Sequence, residues 1–394
     1  MNKSLKTPYY VINAVEFERG ITSFGAALAQ EFEHHIIGYS VKTNSLPWCL
    51  KKAMELGCHA EVVSHDEFSL ARRCGYPIDQ IIYNGPMKSK ETFIEAICGG
   101  AIVNIDTQRE ISWLRDLPSG KTYSVGIRLS INISEVSPND ASTDNDNSRF
   151  GFSDDTEEFG NAVKAISAMG NVKISGLHIH RTTHDRNPEF YRNSMTYALK
   201  TAKKYNLCLS YMDVGGGYFG IFKNKPTFAD YAKQFKEAFG DETAKDFTII
   251  VEPGNALTAS AFEFHTEVID VKHNSIGLHF LTTDGSRNDV DPFFRKTAYL
   301  HEIAYSTTET RASIPHQVVA GCTCLENDRL FSLDNQPELK VGDRIIYHNV
   351  GAYTLCLSPL FIRYWPDIYV LEGGKYEPVR DKWTEQEYIQ NSTI

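Results

Sequence analysis

The feature that most constrains the fold is a regular alternation between short, apolar, β-rich runs and segments with helical periodicity. Eight such runs lie between residues 36 and 252, and helix-period segments fill most of the gaps between them. Strands that each precede a helix are typical of a closed parallel barrel with the helices outside. The pattern therefore predicts a (β/α)8 TIM barrel with strands Ile36–Val41, His59–Val63, Gln80–Asn84, Ala101–Ile105, Thr122–Leu129, Val172–His180, Leu209–Val214 and Phe247–Glu252.

Beyond about residue 258 this alternation stops. The β-rich runs that follow, from Phe262–Val271 to Ile368–Leu371, have few helical segments between them. Strands without crossover helices pair mainly as antiparallel neighbours, which predicts an antiparallel β-sandwich or barrel. The first strand, Thr7–Ile12, is expected to join this second domain. We therefore assign residues 26–258 to a barrel domain, and residues 1–25 with 259–394 to a β domain.

Charge and cysteine content narrow the class of partner. The net charge of −10, without any run of lysines and arginines, disfavours nucleic acid and favours a small-molecule ligand. The N-terminus is polar, and no apolar run is long enough to span a membrane, so we expect no membrane contact. The eight cysteines are scattered and lack the spacing of a zinc site. We interpret most of them as buried free thiols, which predicts a cytoplasmic protein.

The carboxyl ends of the predicted barrel strands are rich in chemically useful residues. Catalytic side chains of such barrels lie at these ends. Nearly every predicted end carries a polar side chain, an ionisable side chain or a glycine, which chance placement would not favour. The residues are Lys42, Glu61, Asn84, Asp106, Arg128, His180, Gly215–Gly217 and Glu252. This face of the barrel is therefore the predicted active site.

Two of these features suggest a covalent aldehyde and a phosphate. Lys42 follows the apolar run Ile36–Val41, and desolvation favours the neutral amine that reacts with aldehydes. The alternative is a surface lysine where the strand exits. Gly215, Gly216 and Gly217 follow the seventh run and allow backbone N–H groups to approach a phosphate. The alternative for the glycines is a tight turn.

Glu252 and His180 complete the predicted set. A carboxylate at Glu252 would keep a facing pyridinium nitrogen protonated, whereas the alternative is a solvated loop glutamate. His178 and His180 alternate onto one face, so at least one is expected to line the barrel mouth, where His180 could stack on a planar group. The alternative is a structural histidine. Together with the lysine and the glycines, these residues predict a site for pyridoxal 5′-phosphate (PLP).

At these residues the chain resembles the fold-type III PLP-dependent decarboxylases, the group of diaminopimelate, ornithine and arginine decarboxylases with an alanine-racemase-like barrel. The resemblance extends from about Thr7 to Tyr364. It rests on segments similar to the motifs Y-A-x-K-A/T-N, acidic-x-A-S-x-x-E, H-x-G-S, E-P-G-R, G-P-x-C-E/D-x-x-D and G-A-Y. These segments are Tyr39–Asn44, Glu61–Glu67, His180–Thr183, Glu252–Asn255, Gly321–Asp328 and Gly351–Tyr353.

The resemblance implies roles for the matched residues. Lys42 would bind the cofactor covalently. Cys324, supplied by the other subunit of a head-to-tail homodimer with shared active sites, would help to return a proton after carbon dioxide leaves. The implied cofactor-binding residues are Lys42, Glu61, Arg128, His180, Thr183, Gly215, Gly216, Gly217, Glu252, Asn255 and Tyr353. The implied substrate-binding residues are Asp291, Glu326 and Asp328, and the substrate would be an amino acid.

Two arginines of the family pattern are replaced. The arginine of E-P-G-R is Asn255 here, and the arginine of the segment N-D-L-I-R-P in diaminopimelate decarboxylases falls on Asp291. Neither residue can make a bidentate contact with a distal carboxylate. We therefore predict a substrate other than diaminopimelate, with a cationic, hydroxylated, modified or carrier-attached side chain, selected by Asp291 together with Glu326. The alternative is that Arg181, Arg186 or Arg287 supplies the missing charge.

Two other activities remain compatible with the sequence. A PLP-dependent racemase or epimerase needs a second base on the opposite face of the ring, and Cys324 could serve as that base. A catalytically silent relative that binds a partner is the other alternative, although the combination of Lys42, the glycines, Glu252 and Cys324 argues against it. Release of carbon dioxide distinguishes the decarboxylase from both.

Overall fold

The computed structural model describes residues 5–138, 148–181, 186–240, 247–275 and 277–393. The strands in these ranges are β1 (Tyr9–Asn13), β2 (His34–Ser40), β3 (His59–Ser64), β4 (Ile81–Met87), β5 (Ile102–Ile105), β6 (Tyr123–Ser130), β7 (Phe152–Ser153), β8 (Val172–His178), β9 (Tyr211–Asp213), β10 (Thr248–Val251), β11 (Phe262–His273), β12 (His279–Thr283), β13 (His301–Ala304), β14 (Ser313–Ala320), β15 (Arg329–Pro337), β16 (Arg344–His348), β17 (Asp367–Glu372) and β18 (Lys375–Arg380).

The α-helices in the same ranges are α1 (Ala14–Glu31), α2 (Pro47–Glu55), α3 (His65–Arg73), α4 (Lys90–Gly99), α5 (Gln108–Trp113), α6 (Ile133–Val136), α7 (Glu158–Ser167), α8 (Pro188–Lys204), α9 (Phe228–Phe239), α10 (Asn255–Thr258), α11 (Arg287–Val290) and α12 (Glu385–Ile389). Within the described ranges, every helix is too short or too polar to cross a lipid bilayer. The chain divides into two compact units, one formed by residues 18–257 and the other by the residues before and after them.

Residues 18–257 form a closed parallel barrel. Its strands lie in the order β5, β4, β3, β2, β10, β9, β8 and β6, and the pairing of β5 with β6 closes the ring. The short strand β7 extends this sheet beside β6. Long apolar runs form these strands because barrel strands are buried on both faces. All eight predicted strands are present, with small differences at their ends, so the predicted (β/α)8 barrel is confirmed.

Helices begin directly after several barrel strands, at residues suited to capping. Ser64 accepts a hydrogen bond from the backbone N–H of Glu67 at the start of α3 (3.1 Å), and Ser89 accepts one from Thr92 at the start of α4 (3.2 Å). Such side chains satisfy N–H groups that the first turn of a helix leaves without partners. The resulting short connections keep the carboxyl ends of the strands close together, on the face where the sequence predicts the site.

Tyr211 fills much of the barrel interior next to these strand ends. A Cβ atom at Gly176 would lie 2.1 Å from its ring, and one at Gly126 would lie 2.2 Å from its hydroxyl oxygen. Glycine is therefore required on β8 and on β6 for the tyrosine to fit. Its hydroxyl donates a hydrogen bond to Asn104 Oδ1 at 2.9 Å, and this links the packed interior to the polar residues of the site.

The second unit is a mixed nine-stranded sheet in which β15, β14, β12, β11, β1, β17 and β18 lie side by side, while β16 pairs with β11 and β13. Strand β1 lies between β11 and β17, which confirms that the N-terminal strand joins this domain. Among the described strands of this unit, the pairs β1–β17 and β12–β14 are parallel and the other pairs are antiparallel. The parallel pairs were not predicted, because no hairpin turn connects their strands and so no local signal sets their direction.

An ion pair inside the β domain gives a testable stability difference. Asp343 is fully buried and accepts two hydrogen bonds from Arg311, at 2.6 and 2.8 Å. Backbone N–H groups of Ser306 and Lys340 each donate a further bond at 2.7 Å. Burial alone would raise the pKa of Asp343, but these donors outweigh burial and hold the pKa below its ordinary value. The ionised carboxylate is therefore the stabilising form.

Replacing Asp343 with asparagine is expected to lower the free energy of unfolding by about 1–3 kcal/mol at neutral pH. Because the folded-state pKa is lowered, the wild-type stabilisation is complete above the unfolded-state pKa, about 3.9, and is lost as pH falls through the folded value. Urea unfolding at neutral and acidic pH measures this. The exposed Asp381→Asn variant is the control, with a change within about 0.5 kcal/mol. An equal loss in both variants, or one that does not shrink in acid, would contradict the prediction.

Candidate active site

A cavity of about 440 Å³ opens among residues at the carboxyl ends of the barrel strands. The predicted residues Lys42, Glu61, Arg128, His180 and Glu252 all line it, and so does His178. These six residues come from five different strand ends or the turns that follow them, separated by up to 210 positions along the chain. The barrel therefore brings together the titratable residues that the sequence assigned to its strand ends.

Lys42 projects into this cavity from a single 3-10 turn, Val41–Thr43, that follows β2. Its Nζ atom donates hydrogen bonds to Ser40 Oγ at 2.8 Å and to Glu61 Oε2. Glu61 is 1% exposed, whereas the Lys42 side chain is 29% exposed. The carboxylate therefore positions an amine that cavity ligands can still reach. Ser40, whose hydroxyl also donates to Glu61 Oε2 at 2.6 Å, was not predicted as a site residue.

Glu252 lies at the centre of a buried polar network. Its carboxylate accepts a hydrogen bond from Asn84 Nδ2, which also donates to Glu61 Oε1 at 3.2 Å. Its Oε2 atom lies 3.7 Å from His178 Nε2 and 3.6 Å from His180 Nδ1. Burial opposes ionisation of Glu252, but the two histidines and Lys42 outweigh it and hold the pKa of Glu252 well below its usual range. The cavity therefore contains a buried carboxylate that stays ionised.

The glycine triplet and His180 are in direct contact. The backbone N–H of Gly216 donates to His180 Nδ1 at 3.0 Å, which orients the imidazole ring in the cavity wall. A Cβ atom at Gly215 would lie 2.3 Å from the same nitrogen, so only glycine fits there. Gly215 and Gly217 have φ values of +67° and +100°. The N–H group of Gly215 donates to Asp213 Oδ1 at 3.1 Å, so an anion nest of the predicted kind depends on the N–H group of Gly217.

Arg128 lines the cavity and is held there by residues that the sequence did not connect with it. Its guanidinium pairs with Asp106 Oδ2 at 2.9 Å and lies 4.7 Å from the centre of the Phe150 ring. The backbone N–H of Gly151 donates to Asp106 Oδ1 at 2.8 Å. This geometry holds Arg149, which precedes Phe150, at the cavity wall. Arg149 was missed because its segment has no recognisable sequence signal.

The predicted β-domain residues are described within their own unit. Asp328 is 1% exposed and accepts hydrogen bonds from Ser286 Oγ at 3.0 Å, from the backbone N–H of Arg287 at 2.8 Å and from that of Thr323 at 3.1 Å. It therefore holds its own loop together, which does not support the predicted role in binding substrate. By contrast, Cys324 is exposed and the Glu326 side chain is 98% exposed. The loop thus presents a thiol and a carboxylate on the surface of this unit.

Asp291 does not present a free charge either. It is 5% exposed, and its Oδ2 atom accepts hydrogen bonds from the Arg287 side chain at 3.0 and 3.1 Å and from the Tyr299 hydroxyl at 3.0 Å. Backbone N–H groups of Arg295 and Lys296 also bind its carboxylate, at 3.1 and 2.9 Å. Both oxygens are occupied, so the expected contact between Asp291 and a cationic substrate is not supported. The guanidinium of Arg287 is paired with Asp291, so it does not supply a charge for the substrate either.

The remaining predicted site residues are Thr183, Asn255 and Tyr353. Thr183 lies outside the described residues. Asn255 begins α10 directly after Gly254, where a Cβ atom would lie 2.1 Å from Thr43 Oγ1. Tyr353 is 40% exposed and has a φ of +55°, which is an uncommon backbone conformation for tyrosine. The sequence also missed Asn104 and Asp213, although strand alternation directs both into the barrel near Asn84.

The residues around the cavity fit PLP. An accessible amine, a buried ionised carboxylate and an imidazole in the cavity wall match the aldehyde, the ring nitrogen and the ring face of that cofactor. Phosphate binding by the glycine triplet stays a prediction, because Gly215 and Gly216 donate their N–H groups to Asp213 and His180. The buried ring nitrogens of His178 have no hydrogen-bond partner among the described residues. Uncompensated polar atoms beside a cavity of this size are typical of a site that a polar ligand completes.

Known proteins of similar sequence and structure agree with this fit. The chain is 26% identical over 403 residues to the probable chloroplastic diaminopimelate decarboxylase of Oryza sativa subsp. japonica, covering 99% of this chain and 80% of that protein. It is 24% identical over 412 residues to the L-glutamyl-[BtrI acyl-carrier protein] decarboxylase of Niallia circulans, covering 99% of this chain. The alignment spans 94% of that relative.

The fold is also similar to that of a diaminopimelate decarboxylase of known structure. A crystal structure of diaminopimelate decarboxylase from M. jannaschii in co-complex with L-lysine superposes with a TM-score of 0.82 at 23% identity, covering 98% of this chain and 92% of that one. The sequence profile of the family described as pyridoxal-dependent decarboxylase, pyridoxal binding domain, matches residues 19–259, which is more than half of the chain. The chain therefore belongs to the pyridoxal-dependent decarboxylases and is a PLP-dependent carboxy-lyase of the amino acid decarboxylase group.

Proposed function

We propose that this enzyme decarboxylates an amino acid, or an amino acid derivative, other than diaminopimelate. The observation that carries the proposal is the chemistry at the two positions where the diaminopimelate enzymes resembled by the sequence have arginine. Asn255 is neutral, and the Asp291 carboxylate is buried and fully hydrogen-bonded within its own unit. A distal carboxylate therefore finds no guanidinium at either position, and a site built without that partner disfavours such a substrate.

The chain's own residues divide the work at the cofactor site. Lys42 would hold PLP covalently, Glu252 would hold its ring nitrogen, and His180 would cover one ring face. The turn Gly215–Gly217 would bind the phosphate through the N–H group of Gly217, since those of Gly215 and Gly216 donate to Asp213 and His180. When bound, the cofactor supplies the electron sink for the charge that remains at Cα when carbon dioxide departs. Glu61 accepts a hydrogen bond from Lys42 Nζ and so orients that amine in the cavity.

The class of substrate side chain depends on which charged residues of the chain can still bind a ligand. The saturated Asp291 does not support selection of a cation, and this role falls to Glu326, whose exposed carboxylate lies 3.6 Å from Arg329 Nη2. A carrier-attached amino acid is compatible with the same set. Its side-chain carboxylate is masked by the carrier linkage, so it needs no distal arginine, and one relative is named as a decarboxylase of an L-glutamyl-carrier protein. We therefore place neutral, carrier-linked side chains beside cationic ones as the candidate classes.

A substrate panel tests the proposal. Carbon dioxide release by the PLP-loaded enzyme is expected to be at least about tenfold faster with lysine, ornithine, arginine or a glutamyl thioester of a carrier protein than with diaminopimelate, since loss of a charged partner costs about 1.5–3 kcal/mol. Enantiomers of each free amino acid are compared, and the Lys42→Ala variant gives the background rate. Clear preference for diaminopimelate would overturn the proposal. Racemisation without carbon dioxide would favour the epimerase alternative.

One observation favours diaminopimelate as a second candidate substrate. Arg149 lines the cavity, and in the part of the chain that the structure describes it makes no ion pair. It therefore offers a positive charge that could replace the missing arginines. By contrast, Arg186 donates to the Tyr218 carbonyl at 3.2 Å and packs on Phe219. If diaminopimelate is turned over, Arg149→Gln should raise its KM while leaving the KM of lysine unchanged, and Arg149→Lys should restore much of the affinity.

The shared active site of a head-to-tail homodimer is tested by mixing variants. Cys324 is exposed on the β domain, where a second subunit could reach it. Cys324→Ala is expected to slow decarboxylation by about 10²–10⁴-fold, the contribution of a positioned proton donor. Reassembling equal amounts of Lys42→Ala and Cys324→Ala subunits should restore about one quarter of wild-type activity, because each mixed dimer contains one complete site. A mixture that stays inactive, despite subunit exchange, would place both residues in one chain's site.

A further inference from the structure

Asp213 is a buried carboxyl group to which the proposed reaction gives no task. It ends β9 and is 0% exposed. Its Oδ2 atom accepts a hydrogen bond from Asn104 Nδ2 at 3.1 Å, and its Oδ1 atom accepts one from the backbone N–H of Gly215 at 3.1 Å. Both donors are neutral, and across the described ranges no lysine, arginine or histidine forms an ion pair with it. A buried carboxylate without a cation is costly, so its protonation state needs explanation.

The neighbouring strand places Asp213 next to Glu252. Ile250 of β10 lies opposite Asp213 in the parallel register, and Glu252 is two residues further along. Side chains two residues apart on a strand point to the same face, so the two carboxyl groups are diagonal neighbours. Two asparagines link them: Asn104 Nδ2 donates to Asp213 Oδ2 at 3.1 Å and to Asn84 Oδ1 at 2.8 Å, and Asn84 Nδ2 donates to Glu252. Two ionised carboxylates in one buried network, both out of water, would repel each other strongly, which favours a proton on one of them.

The surrounding groups decide which carboxyl holds it. Positive groups and histidines face the other two buried acids: Lys42 pairs with Glu61, while His178 and His180 lie within 3.7 Å of Glu252. His178 is also level with Asp213 in the register of β8 and β9, yet its nitrogen faces Glu252. The remaining neighbour is the Tyr211 hydroxyl, which donates to Asn104. The surroundings thus favour charge on Glu252.

The electrostatic balance points the same way. Burial, and then the charge of Glu252, raise the pKa of Asp213 well above its usual range. The pKa of Glu252 is held well below its usual range, because the histidines and Lys42 outweigh its burial. At neutral pH, these opposite shifts separate the two carboxyl groups into one acid and one carboxylate.

We propose that Asp213 is protonated at neutral pH and donates its proton in a hydrogen bond to Glu252, so that the pair carries a single negative charge. That charge stays on Glu252, the group that would hold the ring nitrogen of the cofactor. Asp213 is a positioning residue: it orients the carboxylate from behind and adds no second buried charge. The inference rests on the cofactor site, and it does not depend on which amino acid the enzyme decarboxylates.

Infrared difference spectroscopy on the full-length, cofactor-free protein tests the proposal directly. A protonated carboxyl group absorbs at higher frequency than a carboxylate and shifts when its proton is exchanged for deuterium. The wild type minus Asp213→Asn spectrum at neutral pH is expected to contain this deuterium-sensitive acid band. Asp343→Asn is the matched control, because it removes a buried but ion-paired aspartate and should instead remove a carboxylate band. Loss of a carboxylate band in Asp213→Asn would overturn the proposal.

A second variant keeps the test valid if Asp213→Asn does not fold. In Glu252→Gln the neighbouring charge is gone, so Asp213 should lose its proton at a lower pH than in the wild type. The measured quantity is the pH at which the acid band disappears. A shift to lower pH supports the hydrogen-bonded pair, and an unchanged pH overturns it. Because neither spectrum involves turnover, this result is independent of the carbon dioxide assay that tests the proposed substrate.

Discussion

The Lys42→Ala variant is expected to lose carbon dioxide release by roughly 10³–10⁶-fold, the scale reached when a covalent catalytic residue is removed. The reason is geometric: Lys42 is held in the cavity by Ser40 and Glu61, with its amine still reachable. Borohydride reduction of the wild-type holoenzyme followed by peptide mass mapping should find the pyridoxyl group on Lys42. The variant should give no adduct and lose the visible absorption of covalently bound cofactor.

Lys42→Arg is the matched control for this experiment. Arginine preserves the positive charge that faces Glu61 but cannot form the covalent link. Both variants should therefore lose the adduct and the activity, whereas a purely electrostatic role for Lys42 would leave Lys42→Arg active. An adduct that persists on another lysine would contradict the assignment. Lys88, the buried lysine of the same barrel, is the residue to inspect first in that case.

The Lys88→Met variant is expected to lower the free energy of unfolding of the barrel by about 3–5 kcal/mol, because it leaves a buried charge without its partner. The side chains of Lys88 and Glu110 are both 0% exposed, and their charged atoms lie 3.2 Å apart. Lys88 also donates to the carbonyl oxygens of Gly85 at 2.6 Å and Asn104 at 3.1 Å. Urea unfolding followed by circular dichroism measures the loss.

Its pH dependence has a definite sign. Burial raises the pKa of Glu110, and the charge of Lys88 partly opposes that effect. Without Lys88 the folded-state pKa rises further above the unfolded value, so the folded variant binds a proton more tightly than the unfolded chain does. The destabilisation should therefore grow as pH rises through the range between the two pKa values and shrink in acid. A loss independent of pH would show that packing, rather than charge, is responsible.

The double variant Lys88→Met with Glu110→Gln separates charge from packing. Glutamine removes the charge but can keep the hydrogen bond that Glu110 accepts from the backbone N–H of Asp106 at 2.8 Å. Replacing both members of a buried ion pair is often close to neutral, so most of the lost stability should return. If the double variant is as unstable as Lys88→Met alone, then the hydrogen bonds from Lys88 to the two carbonyl oxygens carry the effect.

Local patterns in the sequence were sufficient for the barrel and for the core of its site. Apolar runs alternating with helical segments predicted all eight barrel strands, because periodicity records which face of an element is buried. Once the strands are predicted, their carboxyl ends are known. The residues at these ends that line one cavity are Lys42, Glu61, Arg128, His180 and Glu252. The glycine triplet could also be recognised in the sequence. The positive φ values of Gly215 and Gly217 explain why glycine is needed there, since most other residues do not adopt them.

What the tertiary structure alone decided is which charges remain available. Asp291 looked like a ligand for a cation, yet Arg287 and Tyr299 occupy its carboxylate. The sequence did not predict Asp213 as a site residue, although the parallel pairing of β9 with β10 places it near Glu252. The physical reason is that the strength and sign of an electrostatic interaction depend on distance and burial, and these are set by partners remote in sequence. Periodicity along the chain therefore specified the fold, while the packing of distant residues specified the electrostatics of the site.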